Sequence, residues 1–374
     1  MLQKVIIKNF KSFTNETVID FTPERIGYLS NTNTYDGVLK GCCFFGPNGS
    51  GKTNALNAIT LLLDLLFEDS FYMPNEYFSL FVIDEKMHFE YIFLIDDQTI
   101  SYAFEIDKNK GVTLERLKQN GRILLDVSLH SAKCYIAKDH YYDDMDHFSL
   151  LIRRIYAETH FEGYPILEKW RDYLESSVRW NSLESHIHYQ EAEQRLISYL
   201  KKGGIKRING FFNECGIPFN IDYGGVEDSK LSSRLDSFRK GLLIIRKEGK
   251  KVPFYIASEG DKALLLFLPV FLNVCEYGGF LAVDDYYVGL HNDLEEFLIS
   301  YFFRHSRGAQ LIFASHSTNL LKTSLLRPDQ VYSVDFDENG SFLTKFSHFG
   351  IRESQKMEKM YLAGAFGGIP NLKR

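Results

Sequence analysis

The chain has 374 residues, 45% of them hydrophobic and 25% charged, which is the composition of a globular protein large enough to bury a full core. Its net charge of −6 excludes a general electrostatic attraction to nucleic acid or to anionic membrane surfaces. The five cysteines form no CxxC pair, and the apolar runs 61–66 and 264–274 are shorter than a membrane span, so we expect a cytoplasmic protein.

The amino-terminal third begins with strand patterns. Residues 4–10 and 12–21 predict two strands joined by a tight turn, and residues 26–29 predict a short third strand. An apolar run, residues 38–45, then leads into the sequence GPNGSGKT, and a helical pattern follows over residues 55–67.

GPNGSGKT satisfies the P-loop pattern G-x-x-x-x-G-K-[ST], and the strand before it and the helix after it are the expected context. Glycines allow the backbone to curl so that successive N–H groups converge on a phosphate at a helix N-terminus. Lys52 would reach the terminal phosphates, and the Thr53 hydroxyl would be a magnesium ligand. The motif predicts nucleotide binding by Gly46, Pro47, Asn48, Gly49, Ser50, Gly51, Lys52, Thr53 and Asn54.

The middle of the chain changes period. Four alternating segments around Asp96-Asp97-Gln98 and Gln119-Asn120-Gly121 turns predict an antiparallel meander: 87–95, 99–106, 112–118 and 122–127. From about residue 143 to residue 216 the period is helical. The predicted helices are 168–179, 189–201 and 205–215, with Gly203-Gly204 and Gly216 as stops.

The last third alternates helices and strands. The predicted elements are a hairpin at 242–246 and 252–256, helices at 260–276 and 291–303, strands at 279–283, 310–314, 330–336 and 341–346, and a C-terminal helix with a glycine-rich tail. The strand FLAV ends in Asp284 and Asp285, and the strand QLIFA ends in Ser315-His316. Such strand ends are where a parallel sheet meets a nucleotide.

Ser258-Glu259-Gly260-Asp261-Lys262 opens the long apolar helix. By itself it is an ordinary helix N-cap. It lies between the P-loop and the two acids in the sequence, and a helix N-terminus favours an anion, so this segment is a candidate phosphate contact.

Four elements follow one another along the chain: the P-loop, the helix start at residues 258–262, the strand that ends in Asp284-Asp285 and the strand that ends in Ser315-His316. This order resembles the ABC-type ATPase head of SMC, RecF and related proteins. More narrowly, the chain resembles the RloA-type AAA ATPases of abortive-infection and phage-defence loci. The segments that carry the resemblance are KVIIKNFKSF, GPNGSGKTNAL, FEYIFLIDDQTISYAFEI, VDDYYVGLH, QLIFASHSTNLL, LLRPDQVYSV and EKMYLAGAFGGIP, of which the last two are the narrow markers.

The resemblance implies ATP and Mg²⁺ as cofactors, with Thr53 and Asp284 on the metal, Asp285 at the position that orients water, and His316 as the switch histidine. It implies that Ser258 and Gly260 contact the γ-phosphate of ATP held by a second head, so self-association is expected. Residues 289–291 match the D-loop position.

Two features depart from the family pattern. Asp285 stands where glutamate is usual, and a carboxylate one methylene shorter misplaces the water, so slow hydrolysis is expected. The segment ASEGDK occupies the position of the family's signature motif but departs from its usual sequence, and Asp261 brings negative charge near a phosphate. No Q-loop glutamine is identified, because Gln98 sits in a hairpin turn.

The predicted fold is therefore α/β: an ABC-type P-loop ATPase head with a mixed central sheet, an antiparallel meander and an inserted helical subdomain. The predicted division is 1–142, 143–216 and 217–374. The predicted function is that of an ATPase sensor or scaffold in antiviral defence, with a phage-derived trigger and a separate nuclease or other toxin as effector, since no second catalytic constellation is visible.

The alternative is a RecF/SMC-like DNA-repair or DNA-scanning ATPase, which the acidic balance and the short helical insertion disfavour. A basic strip, Lys201, Lys202, Lys206 and Arg207, is compatible with DNA or with a solvated helix face. A transporter ATPase subunit fits less well.

Overall fold

The structure, a computed structural model, describes residues 1–68, 75–81, 85–136, 149–181, 196–224, 241–246, 249–285 and 291–370. The chain groups into two compact units. The first is Met1–Trp180, Val274–Tyr286 and Ile299–Arg374, and the second is Asn181–Asn273 and Tyr287–Leu298. The division at residues 142 and 216 stays a prediction. None of the helices in the described ranges is long and apolar enough to cross a membrane.

The strands are β1 (Leu2–Lys8), β2 (Thr17–Asp20), β3 (Thr34–Tyr35), β4 (Val38–Leu39), β5 (Gly41–Phe45), β6 (Lys86–Ile95), β7 (Gln98–Asp107), β8 (Gly111–Gln119), β9 (Arg122–Ser128), β10 (Ser131–Cys134), β11 (Val178–Asn181), β12 (Phe219–Gly224), β13 (Gly241–Arg246), β14 (Lys251–Pro253), β15 (Gly279–Asp284), β16 (Ala309–Ala314), β17 (Val331–Asp337) and β18 (Gly340–Lys345). The helices are α1 (Ser30–Asn33), α2 (Lys52–Phe67), α3 (Leu151–Thr159), α4 (Pro165–Glu175), α5 (Ile205–Cys215), α6 (Glu259–Tyr277), α7 (Asn292–His305) and α8 (Met357–Leu362).

An antiparallel sheet in the order β10-β9-β8-β7-β6-β1-β2 confirms the predicted meander and the amino-terminal hairpin. Along β6 every second side chain is buried, because successive side chains of a strand point to opposite faces. Asp96 and Asp97 turn with φ of 47° and 59°, and Asn120 and Gly121 with 48° and 79°. Positive φ at both central residues matches the twist of the strands that these hairpins join.

The second sheet has the order β11-β15-β16-β5-β17-β18, and β15, β16, β5 and β17 run parallel. Every residue of β5, β15 and β16 is buried, as expected for parallel strands covered on both faces. Because they are parallel, the carboxyl ends of β5, β15 and β16 meet at one edge. GPNGSGKT follows β5, Ser315-His316 follows β16, and β15 ends in Asp284, with Asp285 next.

The second unit has its own small core. It contains the antiparallel sheet β12-β13-β14, and the rings of Phe212 on α5 and Phe219 on β12 pack edge to face at 4.9 Å between centroids. The predicted helix 205–215 is confirmed, and Gly216 ends it in the left-handed conformation with φ of 67°. Gly203 instead lies in a kink just before α5, with φ of 97°. The predicted helix 189–201 falls mostly outside the described residues.

The strand predicted before the P-loop is confirmed as β5, and the rest of the apolar run 38–45, β4, pairs with β3 in a separate sheet. The buried Lys40 between these two strands donates its ammonium to the carbonyls of Phe303 and Ser306 at 2.7 and 2.8 Å. Two other predictions of elements were wrong. Residues 26–29 form no strand. The helix predicted over 168–179 is Pro165–Glu175, and β11 follows it.

Gln310, fully buried on β16, ties the two sheets of the first unit together. Its side-chain oxygen accepts from the Leu2 backbone N–H at 2.8 Å and the Tyr173 hydroxyl at 2.5 Å. Its side-chain nitrogen donates to the Leu2 and Leu39 carbonyls at 2.8 and 2.9 Å. Satisfying a buried amide in this way avoids a cost of about 1–3 kcal/mol per unpaired group.

Arg327, only 1% exposed, gives the marker LLRPDQVYSV a structural role. Its guanidinium makes two hydrogen bonds to the fully buried carboxylate of Asp329, at 2.9 and 2.7 Å. The remaining N–H groups donate to the Glu24, Ile26 and Tyr28 carbonyls and the Ser30 hydroxyl. The segment predicted as a third strand is therefore fixed by a buried cation, and its carbonyls have partners without a sheet.

Arg327→Met is expected to lower the free energy of unfolding by about 3–5 kcal/mol, because it leaves the Asp329 carboxylate buried and unpaired. Denaturant unfolding followed by circular dichroism measures the change. Arg154→Met is the matched control, since Arg154 forms an exposed pair with Glu158 on α3, and a change within about 0.5 kcal/mol is expected. Equal losses in the two variants would contradict the structural role of Arg327.

Candidate nucleotide-binding site

The phosphate loop, residues 46–51, connects β5 to α2 and lies against β17 and β18. A Cβ atom at Gly46 would stand 2.3 Å from the Val334 carbonyl oxygen, and one at Gly51 would stand 2.3 Å from Ser341 Oγ. Gly49 and Gly51 also have φ of 78° and 111°. At position 51 only glycine both avoids the clash with Ser341 and adopts the positive φ without strain. Steric constraints therefore explain why this position of the motif is a glycine.

A cluster of hydroxyl groups supports the loop from the side. Ser341 Oγ lies 2.7 Å from the Ser50 carbonyl oxygen and 2.7 Å from Ser12 Oγ, and the Asn54 amide donates to Ser12 Oγ at 2.7 Å. Neither Ser12 nor Ser341 was predicted as a site residue. They lie 329 positions apart, and nothing in the local pattern of either signals the contact.

Lys52, the first residue of α2, is buried and points back into the loop. Its ammonium donates to the carbonyls of Gly46 and Pro47, both at 3.0 Å. Burial lowers the pKa of Lys52, and Asp285 and Asp284 partly oppose that shift. The loop also contains the buried Ser50 hydroxyl, which has no hydrogen-bond partner in the part of the chain that the structure describes.

Thr53 and Asp284, both predicted as metal ligands, are in contact. Thr53 Oγ1 donates to Asp284 Oδ1 at 3.2 Å, across 231 residues of sequence. Burial raises the pKa of Asp284, the Thr53 hydrogen bond lowers it, and the neighbouring Asp285 charge raises it. A buried carboxylate next to a hydroxyl provides two oxygen ligands of the kind that Mg²⁺ prefers.

Asp285 and His316 lie at the same edge. Burial lowers the pKa of His316, Lys52 lowers it further, and Asp285 raises it, so all three side chains are within electrostatic range of one another. At pH 7 the imidazole is therefore neutral and has one N–H to donate. Asp285 has a φ of 49°, in the left-handed region, which aspartate enters more readily than most residues.

These groups fit a nucleoside triphosphate with Mg²⁺. The loop N–H groups and Lys52 are donors for phosphate oxygens, and Thr53 and Asp284 would ligate the metal. Among the described residues no group of three or more His, Cys, Asp or Glu side chains could hold a metal ion alone.

Ser258 and Gly260 belong to the second unit, at the start of α6. Ser258 is exposed and caps the helix, since its Oγ accepts from the Asp261 N–H at 3.2 Å. Lys262 pairs with Glu259 at 2.8 Å, next to Asp261. Gly289 and Leu290 of the predicted D-loop lie outside the described residues, and His291 is exposed just before α7.

The fold is that of an ABC-type P-loop ATPase head. The SMC head domain from Thermotoga maritima is similar over 92% of this chain and 98% of its own, with 18% identity and a TM-score of 0.50. A SmcHead bound to the C-winged helix domain of ScpA matches 94% of this chain and 99% of its own, with 16% identity and a TM-score of 0.49.

A family model fits most of the chain. The model described as "AAA domain, putative AbiEii toxin, Type IV TA system" matches residues 43–133 and 149–322, and the chain belongs to that family. Comparison with curated proteins gave no match.

Gly46→Ala is expected to weaken ATP binding at least about tenfold, because the added methyl group meets the backbone oxygen of Val334, which cannot rotate away. Isothermal titration calorimetry with ATP and Mg²⁺ measures the affinity, and circular dichroism checks the fold. Gly27→Ala is the matched control, since nothing lies within 4 Å of its Cβ position. ATP affinity that is unchanged in Gly46→Ala would argue against phosphate binding by this loop.

Proposed function

We propose that this protein is an ATPase that closes ATP between two copies of its head, hydrolyses it slowly, and controls a separate effector protein in antiviral defence. The observation that carries the proposal is the assembly of Lys52, Thr53, Asp284, Asp285 and His316 at one edge of the parallel sheet. Family membership and the SMC-like head fold support ATP as the nucleotide.

The exposed amino terminus of α6 supports a shared site. Ser258 presents a hydroxyl and Gly260 leaves room for close approach at a helix end that favours an anion. In the resembled family this segment contacts the γ-phosphate of ATP on a second head. Bound ATP then links two heads, and its loss on hydrolysis releases them.

Slow turnover follows from Asp285. Its carboxylate occupies the position where the family usually has glutamate, and it reaches less far toward an attacking water. The neutral His316 provides a donor for a phosphate oxygen and can report whether the terminal phosphate is present. The roles proposed are water orientation for Asp285 and phosphate sensing for His316.

The effector is proposed to be a separate protein because the sequence contains no recognisable catalytic motif besides those of the ATP site. The family description names a putative toxin of a type IV toxin–antitoxin system, which supports a place for this chain in a system of that kind. A phage-derived trigger is part of the same proposal.

Ser258→Arg is expected to abolish ATP-dependent self-association while leaving ATP affinity within about threefold of wild type, because the added side chain obstructs the second head and not the P-loop. Light scattering after size exclusion with ATP and Mg²⁺ measures the mass. Asn213→Arg, an exposed position on α5 of the same unit, controls for the added charge and is expected to associate normally. An unchanged mass for Ser258→Arg would refute the shared site.

Affinity purification from the native host, with ATP and Mg²⁺ present, tests the effector. We expect a nuclease or another toxin to co-purify with wild type and to be lost with Lys52→Ala, because the ATP-linked state is the one that binds it. Recovery of DNA-repair proteins, together with salt-dependent DNA affinity of the isolated chain, would favour the DNA-scanning alternative.

A further inference from the structure

Residues 364–370, here called the tail segment, follow α8 and lie against β17, the strand that contacts the phosphate loop. Two hydrogen bonds join the segment to this strand. The Ser333 hydroxyl donates to the Phe366 carbonyl at 2.5 Å, and the Gly368 N–H donates to Asp335 Oδ2 at 3.0 Å. The segment is therefore bound at two nearby positions of β17.

Val334 lies between these two positions, and its carbonyl oxygen is close to both the phosphate loop and the tail segment. A Cβ atom at Gly46 would stand 2.3 Å from this oxygen, and one at Gly368 would stand 3.5 Å from it. The Cβ position of Gly368 is also 3.5 Å from the carbonyl oxygen of Phe45, the last residue of β5. One residue of the tail segment thus lies against both strands that border the start of the loop.

Two glycines allow the tail segment to approach β17 at backbone distance. Gly367 and Gly368 have φ of 70° and 67°, in the left-handed region. A Cβ atom at Gly367 would stand 3.1 Å from Asp335 Oδ2, and one at Gly368 would stand 3.1 Å from Ser333 Cβ. Larger side chains at these positions would be strained by the conformation and would push the segment away from the strand.

Aromatic packing anchors the tail segment from its other side. The Phe366 ring stacks on Phe346 with 4.0 Å between centroids, and it meets Phe349 edge to face at 5.0 Å. The Tyr361 hydroxyl, on α8, donates to the Gly368 carbonyl. Because the segment has these anchors besides β17, its contacts restrict where β17 can lie.

The position of the loop backbone matters for phosphate binding. A phosphate loop binds through backbone N–H groups, whose directions change when the loop shifts. Binding groups of this kind must be held to within about 0.5 Å of their working geometry. Since the Val334 carbonyl is in close contact with Gly46, a displacement of Val334 would be passed to the loop.

We propose that the tail segment is a positioning element of the ATP site and that Gly368 is the residue through which it acts. The segment holds Val334 and the end of β5 in place, and these fix Gly46 at the start of the loop. The inference rests on the proposed binding of ATP by the phosphate loop. It adds a determinant of ATP affinity that lies outside the sequence GPNGSGKT.

Gly368→Asn tests the contact with β17, and Gly364→Asn is the matched control. Asparagine enters the left-handed region more readily than most residues, so the backbone cost at the two positions is similar. Gly364 has φ of 80° and nothing within 4 Å of its Cβ position. In calorimetry with ATP and Mg²⁺ we expect at least about fivefold weaker binding for Gly368→Asn and affinity within about twofold of wild type for the control.

Hydrogen exchange of the nucleotide-free protein separates positioning from a general loss of stability. Gly368→Asn is expected to speed exchange of the amides of the phosphate loop and β17 at least about threefold, while the amides of β7 and β8 stay unchanged. Gly364→Asn is expected to match wild type throughout. Equal acceleration in all four regions would assign the tail segment a purely structural role and would overturn the proposal.

A second variant removes the same contact without adding bulk. Asp335→Ala deletes the acceptor of the Gly368 N–H and is expected to weaken ATP binding at least about threefold. It is the test if circular dichroism shows that Gly368→Asn does not fold.

The proposed function and this inference fail in different ways. A wild-type protein that does not bind ATP would refute the proposed function, and this inference with it. If wild type binds ATP, affinity that is unchanged in both Gly368→Asn and Asp335→Ala would overturn the positioning role and leave the proposed function standing.

Discussion

The close contact between the phosphate loop and the β17–β18 hairpin is the constraint on which the ATP site depends. The Val334 carbonyl and the Ser341 hydroxyl occupy the space that side chains at Gly46 and Gly51 would need. The loop is thereby pressed into a tight curve at the start of α2, where Lys52 points back into it. The hairpin, which contributes no predicted ATP-binding residue, sets the shape of the P-loop.

Burial acts on the two signs of charge in opposite directions within this site. It lowers the pKa of Lys52 and raises that of Asp284, so the protein alone disfavours both charged forms. Bound phosphate would favour the charged lysine, and Mg²⁺ would favour the charged aspartate. The electrostatics therefore favour binding of a nucleotide and metal together over either alone.

Both narrow family markers have a structural role. In LLRPDQVYSV, Arg327 and Asp329 form a buried pair that fixes residues 24–30. In EKMYLAGAFGGIP, the Gly368 N–H donates to Asp335 at 3.0 Å and the Phe366 carbonyl accepts from Ser333, both on β17. These segments brace the strand that contacts Gly46. Their presence identifies the architecture around the ATP site and carries no information on the trigger or the effector.

The sequence alone determined the P-loop, the hairpins of the meander and the strand ends at Asp284 and His316. Those features follow from turn residues, periodicity and spacing that are complete within short windows. Tertiary structure alone decided the break at Lys40, the Ser12–Ser341 support of the loop, the Gln310 bridge and the contact of Gly368 with β17. Each of these depends on partners far apart in the chain, whose proximity is set by how the sheets and helices pack and has no local signature.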